Sequence, residues 1–167
     1  AAQFSKIPYL VVELSADTVK HERRKGLPIL FGDAAQDHIL HLSGVARARV
    51  VVVAISDPAA TKAIIRNIRT HSQTAQLIVR TRYVKEIPEL ISLGADDVIP
   101  EEFETSIEIF SRSLRNFLVP EDDIEYFIHA IRADNYGLFQ SRQGVPKSFR
   151  PTKLPEFNIS CVKVSTE

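Results

Sequence analysis

An α/β fold with a doubly wound parallel sheet is what this sequence predicts, and three observations carry that prediction. Segments of strand and helix character alternate from residue 7 to residue 100, with strand starts roughly twenty residues apart, the rhythm of βαβ units. The stretch Arg49-Val50-Val51-Val52-Val53-Ala54-Ile55-Ser56 is apolar without alternation, which predicts a strand covered on both faces. It runs into Ser56-Asp57-Pro58, a helix cap followed by proline at the first helical position. A central strand therefore feeds directly into a helix, and the valine-rich composition argues against a buried helix there.

In chain order, Ile7 to Leu14 reads as a strand, with Pro8 at its start where a missing N–H is tolerated. Ser15 caps a helix that runs through Lys25 and stops at Gly26. Leu27-Pro28-Ile29-Leu30-Phe31 is the second strand and closes with Gly32-Asp33-Ala34. A short helix from Gln36 to Ser43 ends at Gly44, and the central strand follows. The helix beginning at Pro58 places Ala60, Ala63, Ile64 and Ile68 on one stripe. The next strand runs from Gln76 to Arg82. A helix with Pro88 near its irregular start ends at Leu93-Gly94, and Asp97-Val98-Ile99-Pro100 is the last short strand.

The rhythm then changes. Residues 104–118 form a longer helix with Ile107, Phe110, Leu114, Phe117 and Leu118 at helical spacing, and Pro120 breaks it. A second amphipathic helix carries Ile124, Phe127, Ile128 and Ile131. Two apolar stripes outside the sheet pack either on their own sheet or on a partner subunit. Residues 144–155 hold Pro146, Pro151 and Pro155 and read as a linker, and residues 157–164 read as a strand. The boundaries expected are thus 1–119 for the sheet domain, 120–143 for a crossover helix, and 144–167 for a linker and the start of a C-terminal lobe.

The whole-chain balance narrows the function. Lys plus Arg and Asp plus Glu both number 21, so zero net charge gives no reason to expect nucleic acid as partner. Cys161 is alone, which leaves no internal disulfide and no catalytic thiol constellation. No apolar run approaches the ~20 residues that span a bilayer. Methionine is absent even at position 1, which points to a piece of a longer chain. His38 and His41 lie three apart but lack a third metal ligand, and a solvated helix face is the simpler reading. Asp134 and Glu156 are a weaker cation pair.

In an open α/β sheet, ligands sit outside the carboxyl ends of the strands. Glu13 ends a strand and precedes a helix, where a carboxylate can accept both ribose hydroxyls of an adenosine group. Asp33 and Ala34 follow the next strand end, where an adenine would lie. Ile55 and Ser56 end the central strand. Arg80 and Arg82 share one face of their strand at its carboxyl end and suit phosphate or an acidic neighbour. Taken singly, each has a plainer reading: a helix-start carboxylate for Glu13 or Asp33, a structural ion pair for Arg80 or Arg82. The glycine fingerprint G-x-G-x-x-G is absent, and an acidic ribose ligand normally follows it by ~20 residues. Glu13 leaves no room for that upstream, so the sheet lacks its first strand. That strand belongs centrally, between the strand at Leu10 and the strand at Val50.

The order of these motifs, from Glu13 through Gly32-Asp33-Ala34 and Ile78-Val79-Arg80-Thr81-Arg82-Tyr83 to Leu93-Gly94-Ala95-Asp96-Asp97-Val98-Ile99-Pro100, resembles the RCK domain, also called TrkA-N or KTN. It looks closest to the version attached to Kef-type monovalent cation:proton antiporters, over about residues 7 to 135. The resemblance implies a Rossmann-like, non-enzymatic regulatory domain lacking its first strand and glycine loop, followed by a crossover helix pair. It implies an adenine nucleotide ligand (NAD(H), AMP, ADP or ATP) with an incomplete phosphate site. Glu13 takes the ribose position, Asp33-Ala34 the adenine side, Ile55-Ser56 the crevice floor, and Arg80 and Arg82 the phosphate or inter-subunit side. It further implies a homodimer through the helices at 104–118 and 124–131, and a membrane-embedded potassium channel or antiporter as partner at the cytoplasmic face of the membrane. The alternative from another class is a fragment of an NAD-dependent dehydrogenase, which would need a substrate domain with a catalytic His, Tyr or Lys. A receiver-type signalling domain is disfavoured, because the strand that should end in lysine ends in Arg80 and Arg82.

Overall fold

A computed structural model describes residues 7–133. Five parallel strands alternate with helices: β1 (Val11–Glu13), α1 (Ala16–Arg24), β2 (Ile29–Phe31), α2 (Asp37–Ser43), β3 (Val50–Val53), α3 (Pro58–His71), β4 (Gln76–Thr81), α4 (Ile87–Ser92) and β5 (Asp97–Pro100). Two helices follow, α5 (Glu101–Asn116) and α6 (Glu121–Ala133). The chain divides into two compact units, the first ending at Glu102. The linker expected at 144–155, the strand expected at 157–164 and the Asp134–Glu156 pair lie outside the described residues.

The strands form two separate ladders, β1-β2 and β3-β4-β5, all parallel. Among the described residues β3 pairs with β4 and with no strand on its other side, and β1 pairs with β2 alone. The sheet is open where the sequence placed the missing first strand. α2 and α3 tie the two halves: the Asn67 side-chain amide donates to the Ala35 carbonyl at 2.8 Å, and His71 Nε2 lies 2.7 Å from Asp37 Oδ1.

The core of this unit lies on one face of β3-β4-β5. Ile64, Ile65 and Ile68 of α3 pack with Leu77 and Val79 of β4, Leu90 of α4 and Val98 of β5. Each such buried side chain contributes about 1.5–3 kcal/mol through the water it sheds. The expected stripe of α3 is rotated slightly: Thr61 and Ile65 are buried with Ile64 and Ile68, while Ala60 and Ala63 are half-buried.

The expectation that β3 is covered on both faces needs correction. Val53 is buried and Val51 packs against the core, but Val50 and Val52 are 50% and 62% exposed. Among the described residues the strand is a sheet edge with one covered face. Its unbroken valine run reports strand propensity there, not two-sided burial.

β1 is shorter than its apolar run. Val11 donates to the Pro28 carbonyl at 2.9 Å, but Pro28 has no N–H to continue the ladder, so pairing begins at the Val11–Ile29 register. α2 stops at Gly44 with φ 73°, a left-handed conformation that glycine adopts without penalty. A 3-10 turn, Val84–Glu86, precedes α4, the irregular start that Pro88 predicted. α5 starts three residues earlier than expected, directly on β5, where Glu101 and Glu102 in the first turn suit the helix dipole.

Gly32 links the end of β2 to α2. Its N–H donates to the Glu13 carbonyl at 3.0 Å, and a Cβ there would lie 2.6 Å from Ile39 Cδ1 and 3.0 Å from two further carbons of that side chain. Ile39 is itself buried. Gly32→Ala is expected to cost about 1–3 kcal/mol by overpacking, read as a lower urea midpoint at unchanged slope.

In the second unit, α5 and α6 form a helical hairpin. Arg115 reaches Glu121 at 2.6 Å across the turn, Arg132 reaches Glu104 at 2.6 Å at the far end, and the Phe110 and Phe127 rings lie 5.1 Å apart. Ile107, Ser111, Ile124, Phe127 and Ile131 are buried.

Candidate functional site

The carboxyl ends of β3 and β4 and the start of α5 surround a cavity of about 280 Å³. It follows from local chain chemistry. Beyond Val53 the chain leaves the ladder, so Ile55 and Ser56 form a turn. Asp57 then caps α3, its carboxylate accepting from the Ala60 N–H at 2.9 Å, and Pro58 fixes the first turn. That turn places Thr61 and Lys62 on the cavity wall. Thr61 is buried and satisfied, its hydroxyl donating to the Asp57 carbonyl at 2.8 Å. Thr81, also buried, donates to the Glu86 carboxylate, and both line the cavity.

Arg80 is the centre of the arrangement. Its Nη2 donates to Ser56 Oγ at 2.9 Å and its Nη1 to Glu101 Oε2 at 3.2 Å. It thereby joins the β3–α3 turn to the first residue of α5. Lys62 lies 2.7 Å from Glu89 of α4. Arg82 sits 5.4 Å from the Tyr83 ring centroid. The lining holds three cations, Lys62, Arg80 and Arg82, against the carboxylates of Glu86 and Glu101. It favours an anionic group with hydrogen-bond acceptors.

Of the residues singled out in the sequence, Ile55, Ser56, Arg80 and Arg82 meet in this cavity. Glu13, Asp33 and Ala34 do not line it. They stand at the carboxyl ends of β1 and β2, which pair side by side at Glu13–Phe31. There the Glu13 carboxylate accepts from the Ser15 N–H at 2.7 Å, and Asp33 Oδ1 accepts from the Ala35 N–H at 2.8 Å. Ala34 packs half-buried against the core. Both carboxylates thus hold local turns, and Arg80 makes an ion pair.

Lys62 and Glu101 were not singled out in the sequence. Lys62 is four residues after Pro58, one turn along the same helix face, and Glu101 directly follows the last strand; either spacing was a usable signal. His41 and His71 have ring centroids 6.4 Å apart, yet among the described residues no group of three or more His, Cys, Asp or Glu side chains could hold a metal ion.

The TrkA-N domain model matches residues 1–101. The putative K(+) efflux antiporter KefB of Alkalimonas amylolytica is 30% identical over 140 residues, which are 84% of this chain and 21% of that protein. The chain therefore spans about a fifth of that relative's length. The TrkA-N domain of the inner membrane protein ybaL from Escherichia coli superposes with a TM-score of 0.62 at 25% identity, over 65% of this chain and 81% of that one. The Kef CTD of Shewanella denitrificans in its AMP-bound form shares the fold, with a TM-score of 0.59 at 16% identity over 78% of this chain and 96% of that one.

Proposed function

The chain belongs to the TrkA-N domain family, and from that premise we propose that it is a non-enzymatic regulatory domain that senses an adenine nucleotide and controls potassium or other monovalent cation transport. The observation that supports this reading most is the family match over residues 1–101, together with Glu13, Asp33, Ser56 and Arg80 at or just beyond strand carboxyl ends, where ligands of open α/β folds sit. A K(+) efflux antiporter among the relatives supports a membrane-embedded cation transporter as the partner, with the domain on the cytoplasmic side. AMP in the Kef CTD supports the adenine nucleotide class, within which AMP, ADP, ATP and NAD(H) are the ligands to test.

In this reading the ribose hydroxyls donate to Glu13 and the adenine lies beside Asp33 and Ala34. The phosphates point toward Ser56, Arg80 and Arg82. Ligand binding biases one arrangement of the domain over another, and the bias is passed to the transporter as a coupling free energy. The second unit serves as the contact between two copies, through α5 and α6.

Calorimetric titration of the protein with AMP, ADP, ATP and NADH tests the ligand. Glu13→Ala removes charge-assisted hydrogen bonds worth about 1.5–3 kcal/mol, so the dissociation constant is expected to rise roughly 10- to 100-fold. Heats absent for all four nucleotides, or a Glu13→Ala protein that binds as tightly as before, would sink the nucleotide assignment. Hydride transfer to any substrate would instead favour the dehydrogenase alternative.

A further inference from the structure

The chain has no net charge, yet the cations of its first unit are sorted by strand end. Parallel strands oblige each connection to return to the strand amino ends. Those ends form one rim of the unit, opposite the rim that bears the cavity. The last turn of α1 brings Arg23, Arg24 and Lys25 to the amino rim ahead of β2, and Arg47 and Arg49 stand there ahead of β3. Two of the five are engaged: the Arg23 guanidinium donates to the Ile29 carbonyl at 3.0 Å, and Lys25 lies 2.7 Å from Glu22. Arg24, Arg47 and Arg49 are exposed, and among the described residues none of the three has a side-chain hydrogen bond or ion pair. At the opposite rim, by contrast, Lys62 pairs with Glu89 and Arg80 with Glu101. A cation in the last turn of a helix suits its dipole, which accounts for Arg23 and Arg24. It does not account for Arg49, which belongs to no helix; its carbonyl accepts from the Gln76 N–H at 3.0 Å while its side chain stands exposed at the start of β3.

None of these three arginines lines the cavity. They come from separate elements along one rim, so they do not converge on a small anion. They fit an extended anionic surface, where each adds its own attraction. We propose that the amino rim, through Arg24, Arg47 and Arg49, is a docking surface for the acidic lipid headgroups of a membrane. The proposal rests on the transporter reading only for the presence of a membrane nearby; the attraction belongs to these side chains. Docked this way, the unit holds the strand carboxyl ends, with Glu13, Asp33, Ser56 and Arg80, away from the bilayer and open to solutes. The contact is electrostatic, because among the described residues no helix is long and apolar enough to cross a membrane. It is therefore reversible and weakens with salt.

Cosedimentation of the protein with phosphatidylcholine vesicles, with and without one-third phosphatidylglycerol, tests the docking. At low salt only the acidic vesicles are expected to carry the protein down, and about 0.5 M salt, with a screening length of about 4 Å, should release it. Arg49→Gln is expected to weaken the partition about fivefold, and Arg24→Gln, Arg47→Gln and Arg49→Gln together about a hundredfold. Lys85→Gln makes the same change of charge at the opposite rim, in the turn after β4, and should shift binding less than about twofold. Equal binding to both kinds of vesicle, or equal losses in Arg49→Gln and Lys85→Gln, overturns the docking even if the nucleotide titrations succeed. Polyglutamate held more tightly than acidic vesicles, and lost in the triple variant, overturns it in favour of an acidic protein segment. Lipid binding lost only with the rim arginines, while no nucleotide gives heat, supports the docking and removes the nucleotide reading instead.

Discussion

Arg69→Ala is expected to lower stability by roughly 3 kcal/mol, a large loss for one side chain on a helix surface. Arg69 is 15% exposed and closes three chain segments at once. Its Nε donates to the Gly94 carbonyl at 2.8 Å, its Nη1 to the Ala75 carbonyl at 2.8 Å, and its Nη2 to Asp96 Oδ2 at 2.7 Å. Truncation strands two part-buried carbonyls that terminate α4 and begin β4, and each unmade bond to a charged donor costs about 1.5–3 kcal/mol before relaxation. Lysine should recover less than half, because a point charge cannot serve three diverging acceptors. Chemical denaturation checks this: a midpoint shift under a third of that expected would show that water replaces the fork.

Asp96 gives the same cluster a pH signature. The Leu77 N–H donates to Asp96 Oδ2 at 2.6 Å and holds its carboxyl below the ordinary value; burial opposes this, and Arg69 adds to the lowering. Because the folded pKa is depressed, the stabilisation is present above the ordinary value of 3.8 and is lost as pH falls through the lower folded value. Asp96→Asn should therefore cost stability at pH 7, and the difference from wild type should shrink below about pH 4. The side chain is 41% exposed, which keeps the expected effect near 1 kcal/mol.

The parts of the fold that were legible in the sequence are those set by local chemistry. Ser15 caps α1, Gly44 ends α2 and Pro120 separates α5 from α6 because each residue type solves a backbone problem wherever it occurs. Among the described residues β3 pairs on one side only, as the absence of a glycine fingerprint from the sequence led one to expect. Burial was less so. The valine run of β3 could not show which face is covered, since β-branched residues favour strands whether one face or both are buried. The site was half legible. Strand ends announce Ser56 and Arg80, but Lys62 and Glu101 enter only through the turn of α3 and the immediate start of α5. Nothing in the residues alone showed that Arg80 would meet Glu101.

A protein carrying Ile109→Asp and Leu118→Asn is expected to dimerise about a thousandfold more weakly than the wild type, if α5 and α6 join two copies as proposed. The apolar stripe read from the sequence of α5 is only partly used within its own hairpin. Ile107 is buried and Leu114 half-buried, while Phe110, Phe117 and Leu118 are 42%, 52% and 89% exposed; Ile109, which lies outside that stripe, is 63% exposed. Fully covering each such side chain contributes about 1.5–3 kcal/mol, and partial covering of the four that two copies bring supplies the expected loss. Leu118 separates association from folding. It holds φ at 57°, a left-handed conformation that asparagine tolerates better than leucine. Leu118→Asn alone should thus leave the monomer as stable as before, or more so, while weakening the dimer roughly 10- to 100-fold. Sedimentation equilibrium reads the association and thermal unfolding at low concentration reads the monomer. An unchanged dimer constant in the double variant would place the interface elsewhere, and a fall in both quantities together would assign these side chains to the hairpin's own stability.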